Sequence, residues 1–141
     1  MKKNKLTKNI AIITARKNSK RIKNKNIKNF CGKPLIYHSI NLAKKSKLFD
    51  KIIVSTDSIK IKKIATKYGA DVPYLRSKSL SNDFVGTKKV LKDVLEKIEI
   101  KENVNIFCIY CTAPLLKIED LKKALKIYKR TNSDALYAVS R

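Results

Sequence analysis

Between Ala15 and Ile27 the chain carries Arg16, Lys17, Lys20, Arg21, Lys23 and Lys25, interleaved with Asn18, Ser19, Asn24 and Asn26. A triphosphate needs several cations on a short stretch of backbone, with hydroxyl and amide donors among them. Arg16, Lys20, Arg21 and Lys25 supply the charge and Ser19 a hydroxyl. Asn26 offers both a donor and an acceptor, which suits reading the edge of a base. The same pattern also fits a grip on nucleic acid phosphates, or a solvated loop face. The patterns G-x-x-x-x-G-K-[ST] and G-x-G-x-x-G do not occur, so neither a P-loop nor a dinucleotide-binding turn is indicated.

Such a loop needs a rigid support, and the flanking sequence predicts one. Asn9 to Thr14 is a β-branched run suited to a buried strand. Ala15 to Phe30 has no clean period and reads as a loop. Pro34 opens a helix, with Leu35, Ile36, Ile40 and Ala43 on one face. Lys51 to Ser55 is a second strand. Ile59 to Tyr68 is a second helix, stopped by Gly69, and Asp57 stands where it would cap that helix. Val72 to Leu75 is a short third strand, Val85 to Ile98 a third helix and Val104 to Tyr110 a fourth strand. Ile118 to Lys129 is a fourth helix and Ala135 to Val139 a fifth strand. Strand and helix alternate throughout, which predicts an α/β, Rossmann-like three-layer fold with a mostly parallel sheet and helices on both faces. Ligands in such sheets bind beyond the carboxyl ends of the strands. The loops after Thr14, Ser55, Leu75 and Tyr110 therefore form the functional rim.

A length of 141 residues fits one domain, residues 1–141, large enough to bury about two-thirds of its unfolded surface. The chain stops at Arg141, just past the last predicted strand, a place that predicts a domain incomplete at its carboxyl end. No stretch reaches the roughly 18 apolar residues of a membrane span. The apolar run Ile10 to Ile13 is too short for a signal-peptide core, which needs about 7–15 residues. The expectation is a cytoplasmic protein. The net charge is +23, from 34 Lys and Arg against 11 Asp and Glu. Fifteen of the basic residues precede the first acid, Asp50. A basic amino-terminal third favours an anionic ligand, whether nucleotide, acidic sugar or nucleic acid; the alternative source of the excess is A/T-rich codons that place Lys on solvated faces.

Cys108-Ile109-Tyr110-Cys111 is formally a C-x-x-C, but it ends an apolar strand and has no second pair, unlike a redox or zinc motif. His38, beside Tyr37 on the first helix, reads as a packing or surface residue.

The segment IAIITARKNSKRIKNKNIKNFCGKPLI resembles the opening of the acylneuraminate (CMP-sialic acid) cytidylyltransferases. The resemblance continues through Val54-Ser55-Thr56-Asp57, Tyr68 to Arg76, Asp83-Phe84-Val85-Gly86-Thr87 and Ile109 to Pro114. It covers about residues 9–140. Tyr110-Cys111-Thr112-Ala113-Pro114 and Asp83 to Thr87 resemble the pseudaminic acid branch. Thr14, Lys17-Asn18 and Lys23 depart from the family's usual proline, glycine pair and second proline.

The resemblance implies transfer of CMP from CTP to a nonulosonic acid, for cell-surface glycan or flagellin glycosylation, with Mg²⁺ as cofactor. It implies that Arg16, Ser19 and Lys20 hold the triphosphate, with Arg16 and Lys20 offsetting charge on the departing pyrophosphate. Lys25 and Asn26 would contact the nucleotide and its cytosine, and Arg76 and Thr87 would line the same pocket. Tyr110 and Asp83 would meet the sugar. Metal ligands and the contacts of a homodimer would come from a later part of the protein. One alternative of another class is an inactive fragment; the other is a basic nucleic-acid-binding domain. It does not account for the alternating α/β order or for the lack of aromatic platforms in the basic loop.

Overall fold

The computed structural model describes residues 8–19, 21–100, 103–131 and 133–139. Its centre is β1 (Lys8–Thr14), an apolar strand hydrogen-bonded on both edges. On one side it pairs in parallel with β4 (Lys51–Ser55), and on the other with β5 (Val104–Tyr110), giving the order β4-β1-β5. Side chains alternate across a strand, so a strand covered on both faces must be apolar throughout. Ala11 and Ile13 point into one cluster with Ile36, Ile40 and Ala43 of α1 (Leu35–Ser46), Ile61 and Ala65 of α2 (Ile59–Lys67) and Leu121 of α4 (Ile118–Thr131). Ile10 and Ile12 point the other way, onto Ile53 and Val94 of α3 (Thr87–Lys97). Helices thus cover both faces of a parallel sheet, as the sequence predicts.

Four local readings need correction. The segment from Ala15 to Phe30 is not loop throughout. Asn29–Phe30 (β2) pairs antiparallel with Lys33–Pro34 (β3) across a two-residue turn. Cys31 (φ 49) and Gly32 (φ 80) are both left-handed there, the geometry that suits such a turn. Strands of two residues are too short to show a period. The predicted strand at Val72 to Leu75 is reduced to a single parallel bridge, Asp71 with Ile53. The Asp71 N–H donates to the Ile52 carbonyl and the Val54 N–H to the Asp71 carbonyl, both at 2.8 Å. Pro73 then has no N–H to extend a ladder.

The cap of α2 is Ser58, whose Oγ accepts the Ile61 N–H at 3.3 Å; Asp57 is not the cap. Finally, Ala135 to Val139 is not a strand. Tyr137 is 82% exposed and Val139 86%, and the segment has no ladder partner among the described residues. Alternation and β-branching describe a candidate strand, but only pairing makes one.

Gly69 (φ 89) ends α2, and the Lys44 Nζ of α1 donates to the neighbouring Tyr68 carbonyl at 3.2 Å. His38 is a packing residue here. Its Nε2 lies 2.8 Å from the Phe30 carbonyl, and its ring makes edge contacts with Phe30 and Tyr37, tying the hairpin to α1.

The two cysteines of the C-x-x-C part company. Cys111 joins the cluster of Ile109 and α1, while Cys108, one alternation away, falls on the Ile106 side of the sheet. Burial pushes the thiol of Cys108 up to about 11 and that of Cys111 to about 12, from 9.0. Raised values mean that folding favours the neutral thiols. Their contribution to stability is complete below pH about 9 and is lost as pH rises through about 11–12. Iodoacetamide at pH about 8 should therefore label the exposed Cys31 and spare Cys108 and Cys111 until the protein unfolds. Equal native labelling of all three would contradict this packing. Ile12→Ala, at a fully buried position of the central strand, should cost about 2–5 kcal/mol in denaturant unfolding. An unchanged midpoint and slope would mean that β1 is not the core strand.

Candidate active site

A cavity of about 270 Å³ opens at the carboxyl ends of β1 and β5, near the small end of the range for small-molecule sites. Thr14 and Tyr110, register partners at those two strand ends, lie in its wall. Val90 and Thr87 of α3 line it from one side. Arg16, Ser19, Lys25 and Asn26 enter from the loop after β1, and Arg76, Asn82 and Asp83 from the segment between α2 and α3. The fold thus brings Arg16, Ser19, Lys25, Asn26, Arg76, Asp83, Thr87 and Tyr110 to one place, although they are spread over 95 positions of sequence. Lys20 lies outside the described residues. Thr112 also lines the cavity.

The loop's first turn is held by its backbone. The Ala15 N–H donates to the Ser55 carbonyl at 3.0 Å, which continues the β1–β4 ladder one step past the strand. Next comes the peptide group joining Arg16 to Lys17. Its carbonyl accepts from Asn26 Nδ2 at 2.9 Å, and its N–H donates to Asp57 Oδ1 at 2.6 Å. Side chains from two distant places thus hold one peptide plane at both ends. Asn26 itself sits in a 3-10 turn, Lys25–Ile27, that follows the left-handed Asn24 (φ 53), and it is only 7% exposed. Sequence reasoning assigned Asn26 to the base. The structure gives its amide a bond to the loop's own backbone as well as a place in the cavity wall.

The cations are arranged unequally. Arg16 is paired with Asp83 at 2.5 Å, each about one-third exposed. This pair brings Asp83 to the loop after β1. Arg76 is only 6% exposed. Its N–H donates to the Thr56 carbonyl at 2.8 Å, and its Nε to Ser81 Oγ at 3.1 Å. Burial pulls its pKa down, and nearby Arg16 adds to that; Asp57, Tyr74 and Asp93 oppose it. A guanidinium stays protonated through such a shift, so the cavity keeps a buried positive charge beside the one-third exposed Arg16. At the mouth, Thr87 Oγ1 and the Tyr110 hydroxyl lie 2.8 Å apart. Together these groups offer cations, hydroxyls and an amide to an anionic ligand carrying a hydrogen-bonding ring.

Sequence reasoning missed Ser81, which orients Arg76, and the role of Asp57. Asp57 had a signal, since it lies on the rim just past a strand end. Ser81 had none, because Ser77, Ser79 and Ser81 look like any polar turn.

A family model described as cytidylyltransferase matches residues 10–140. The pseudaminic acid cytidylyltransferase of Campylobacter jejuni is 40% identical over 135 residues, covering 94% of this chain and 58% of that protein. The N-acylneuraminate cytidylyltransferase of Streptococcus agalactiae is 36% identical over 133 residues, covering 93% of this chain and 32% of that protein. This chain therefore spans little more than half the length of its pseudaminic acid relative. Among solved structures, a CMP:2-keto-3-deoxy-manno-octonic acid synthetase complexed with CTP superposes with a TM-score of 0.75 at 19% identity, over 90% of this chain and 49% of that one. With the match spanning nearly every residue from β1 to the end of the chain, this chain belongs to the cytidylyltransferase family.

Proposed function

We propose that the protein transfers CMP from CTP to the anomeric hydroxyl of a nonulosonic acid and releases pyrophosphate. The observation that carries this reading is the meeting of Arg16, Ser19, Lys25, Asn26 and Arg76 around one cavity at the strand ends. The hydroxyl oxygen attacks the α-phosphorus, the bond to the bridging oxygen of pyrophosphate breaks, and the hydroxyl proton passes to a base. Such displacements depend mainly on positioning and on neutralising charge. Arg16 and Lys20 are assigned to the triphosphate and the departing pyrophosphate. Ser19 contributes a hydroxyl there, Lys25 and Asn26 contact the nucleotide, and Arg76 and Thr87 complete its pocket. Tyr110, half-exposed at the mouth, is assigned to the sugar side; Asp83, given the same role by the resemblance, is held by Arg16 at the border between the nucleotide and sugar sides.

Pseudaminic acid is the preferred sugar, on the strength of the 40% identical relative. Sialic acid is a second reading, supported by the 36% identical N-acylneuraminate enzyme, and legionaminic acid belongs to the same class. Mg²⁺ is proposed as the cofactor, because it binds through phosphates with few protein ligands. Among the described residues no cluster of three His, Cys, Asp or Glu could hold a metal, and Asp83 is engaged by Arg16. The present residues do not form a metal cage by themselves, so no step is assigned to the ion. A cytoplasmic location and a homodimer are part of the same proposal. No helix of the described residues is long and apolar enough to cross a membrane.

Full-length protein should gain about 2.7 kcal/mol of stability at CTP concentrations about 100 times Kd, and nothing from ATP, GTP or UTP. Thermal shift measures this directly. Tight, salt-sensitive DNA binding that CTP cannot displace would favour the nucleic-acid reading instead. Arg16→Ala should lower the rate of transfer by about 10²-fold with the fold intact. Unchanged turnover in that variant would remove Arg16 from the machinery.

A further inference from the structure

A carboxylate close to a phosphate site opposes anion binding, so its presence there calls for a compensating role. Asp57 is such a carboxylate. Its own backbone is held firmly. Thr56 is fully buried, its Oγ1 accepts the Ser58 N–H at 3.2 Å, and its carbonyl accepts the Arg76 N–H at 2.8 Å. Ser58 caps α2, which leaves the Asp57 side chain free of capping. It turns instead toward the loop after β1, where Oδ1 accepts the Lys17 N–H at 2.6 Å across 40 residues of sequence.

That N–H and the Arg16 carbonyl belong to one peptide group, and Asn26 holds the other end of it at 2.9 Å. A peptide group is planar. Fixing both its ends constrains ψ of Arg16 and φ of Lys17, and with them the direction in which the chain leaves β1. Arg16 and Ser19 reach the cavity from this turn, whereas Asp57 and Lys17 do not line it. Asp57 can therefore act on a ligand only through the loop or through its charge.

We propose that Asp57 is a positioning residue for the β- and γ-phosphates of the nucleotide. By accepting the Lys17 N–H it holds the first turn of the loop in the form that brings Arg16 and Ser19 to the cavity. The inference rests on reading that cavity as a CTP site. Hydrogen-bond acceptance carries the effect. The negative charge works against it at the phosphates, although it also faces the buried Arg76.

Acceptance and charge are separable, because Asp57→Asn keeps an acceptor oxygen and loses the charge, while Asp57→Ala loses both. Calorimetric titration of the full-length protein with CTP and with CMP, which lacks the β- and γ-phosphates, reads the difference. Asp57→Ala should weaken CTP about tenfold and leave CMP within about twofold. Asp57→Asn should bind CTP as tightly as the wild type or more tightly, since a repulsive charge is gone. A purely structural role would lower the melting temperature without changing the ratio of CTP to CMP affinity. Equal weakening of both nucleotides by Asp57→Ala, or of neither, would overturn the proposal. So would an Asp57→Asn variant as impaired as Asp57→Ala, which would make the charge itself the requirement. If Asp57→Ala does not fold, the Asp57→Asn result decides alone: tight CTP binding upholds the proposal and weak binding refutes it. Wild-type protein that binds no CTP would remove the site reading and this inference with it, and that result is in hand before any variant is made.

Discussion

Mutual repulsion among cations is the constraint to which the arrangement around the cavity answers. Arg16, Lys25 and Arg76 share one small cavity, and the field of Arg16 already weighs on the buried Arg76 guanidinium. Charges of one sign hold together around a partly dry space only if the backbone that carries them is fixed by something else. Here the carriers are fixed by hydrogen bonds to main-chain groups. Arg76 is tied through its N–H to Thr56. The peptide after Arg16 is tied at both ends, by Asn26 and Asp57. The acids answer part of the charge without cancelling it. Asp83 pairs with Arg16, and Asp57 faces Arg76 through space.

The sheet makes that fixing possible. β1 is covered on both faces and paired on both edges, so its end at Thr14 cannot drift. Each anchor of the loop is a short step from a strand end. Ser55 closes β4, Asp57 lies two residues beyond it, and the 3-10 turn bearing Asn26 leads through the small hairpin into α1. α1 packs back on β1 through Ile36 and Ile40. The ligand side of the cavity belongs to α3, whose Val94 packs against the opposite face of the same strand. One buried strand thus serves as the reference for the basic loop on one side and for the wall bearing Thr87 on the other. The hydroxyl pair of Thr87 and Tyr110 joins α3 to β5 across the mouth.

Much of this was legible in the sequence. The apolar runs at 10–13, 51–55 and 104–110 announce the three strands of the main sheet, since a strand covered on both faces has unbroken apolar character; the run at 104–110 is the least buried of the three. The helical stripes of α1, α3 and α4 carry the rest of the layering. Eight of the nine residues singled out for the site meet at one cavity, and the ninth, Lys20, lies outside the described residues. Their residue types supplied the chemistry of the loop, and the resemblance supplied the distant members.

What the sequence by itself determined was the three strands of the main sheet, the four helices and their layering, for these follow from period and propensity along the chain. Tertiary structure decided the rest. A strand needs a partner, so Val72 to Leu75 shrank to one bridge beside Pro73, and Ala135 to Val139 stayed unpaired among the described residues. Asp57 could cap a helix or reach across to a loop, and its residue type suits both. Ser58 took the cap, and the two strand ends came close enough for Asp57 to meet Lys17. Asn26, read from the sequence as a contact to the base, holds the backbone of Arg16 in the structure. Local preference along the chain sets which bonds a side chain can make. Which of them it does make depends on groups 10 or 40 residues away, and only packing brings those within reach.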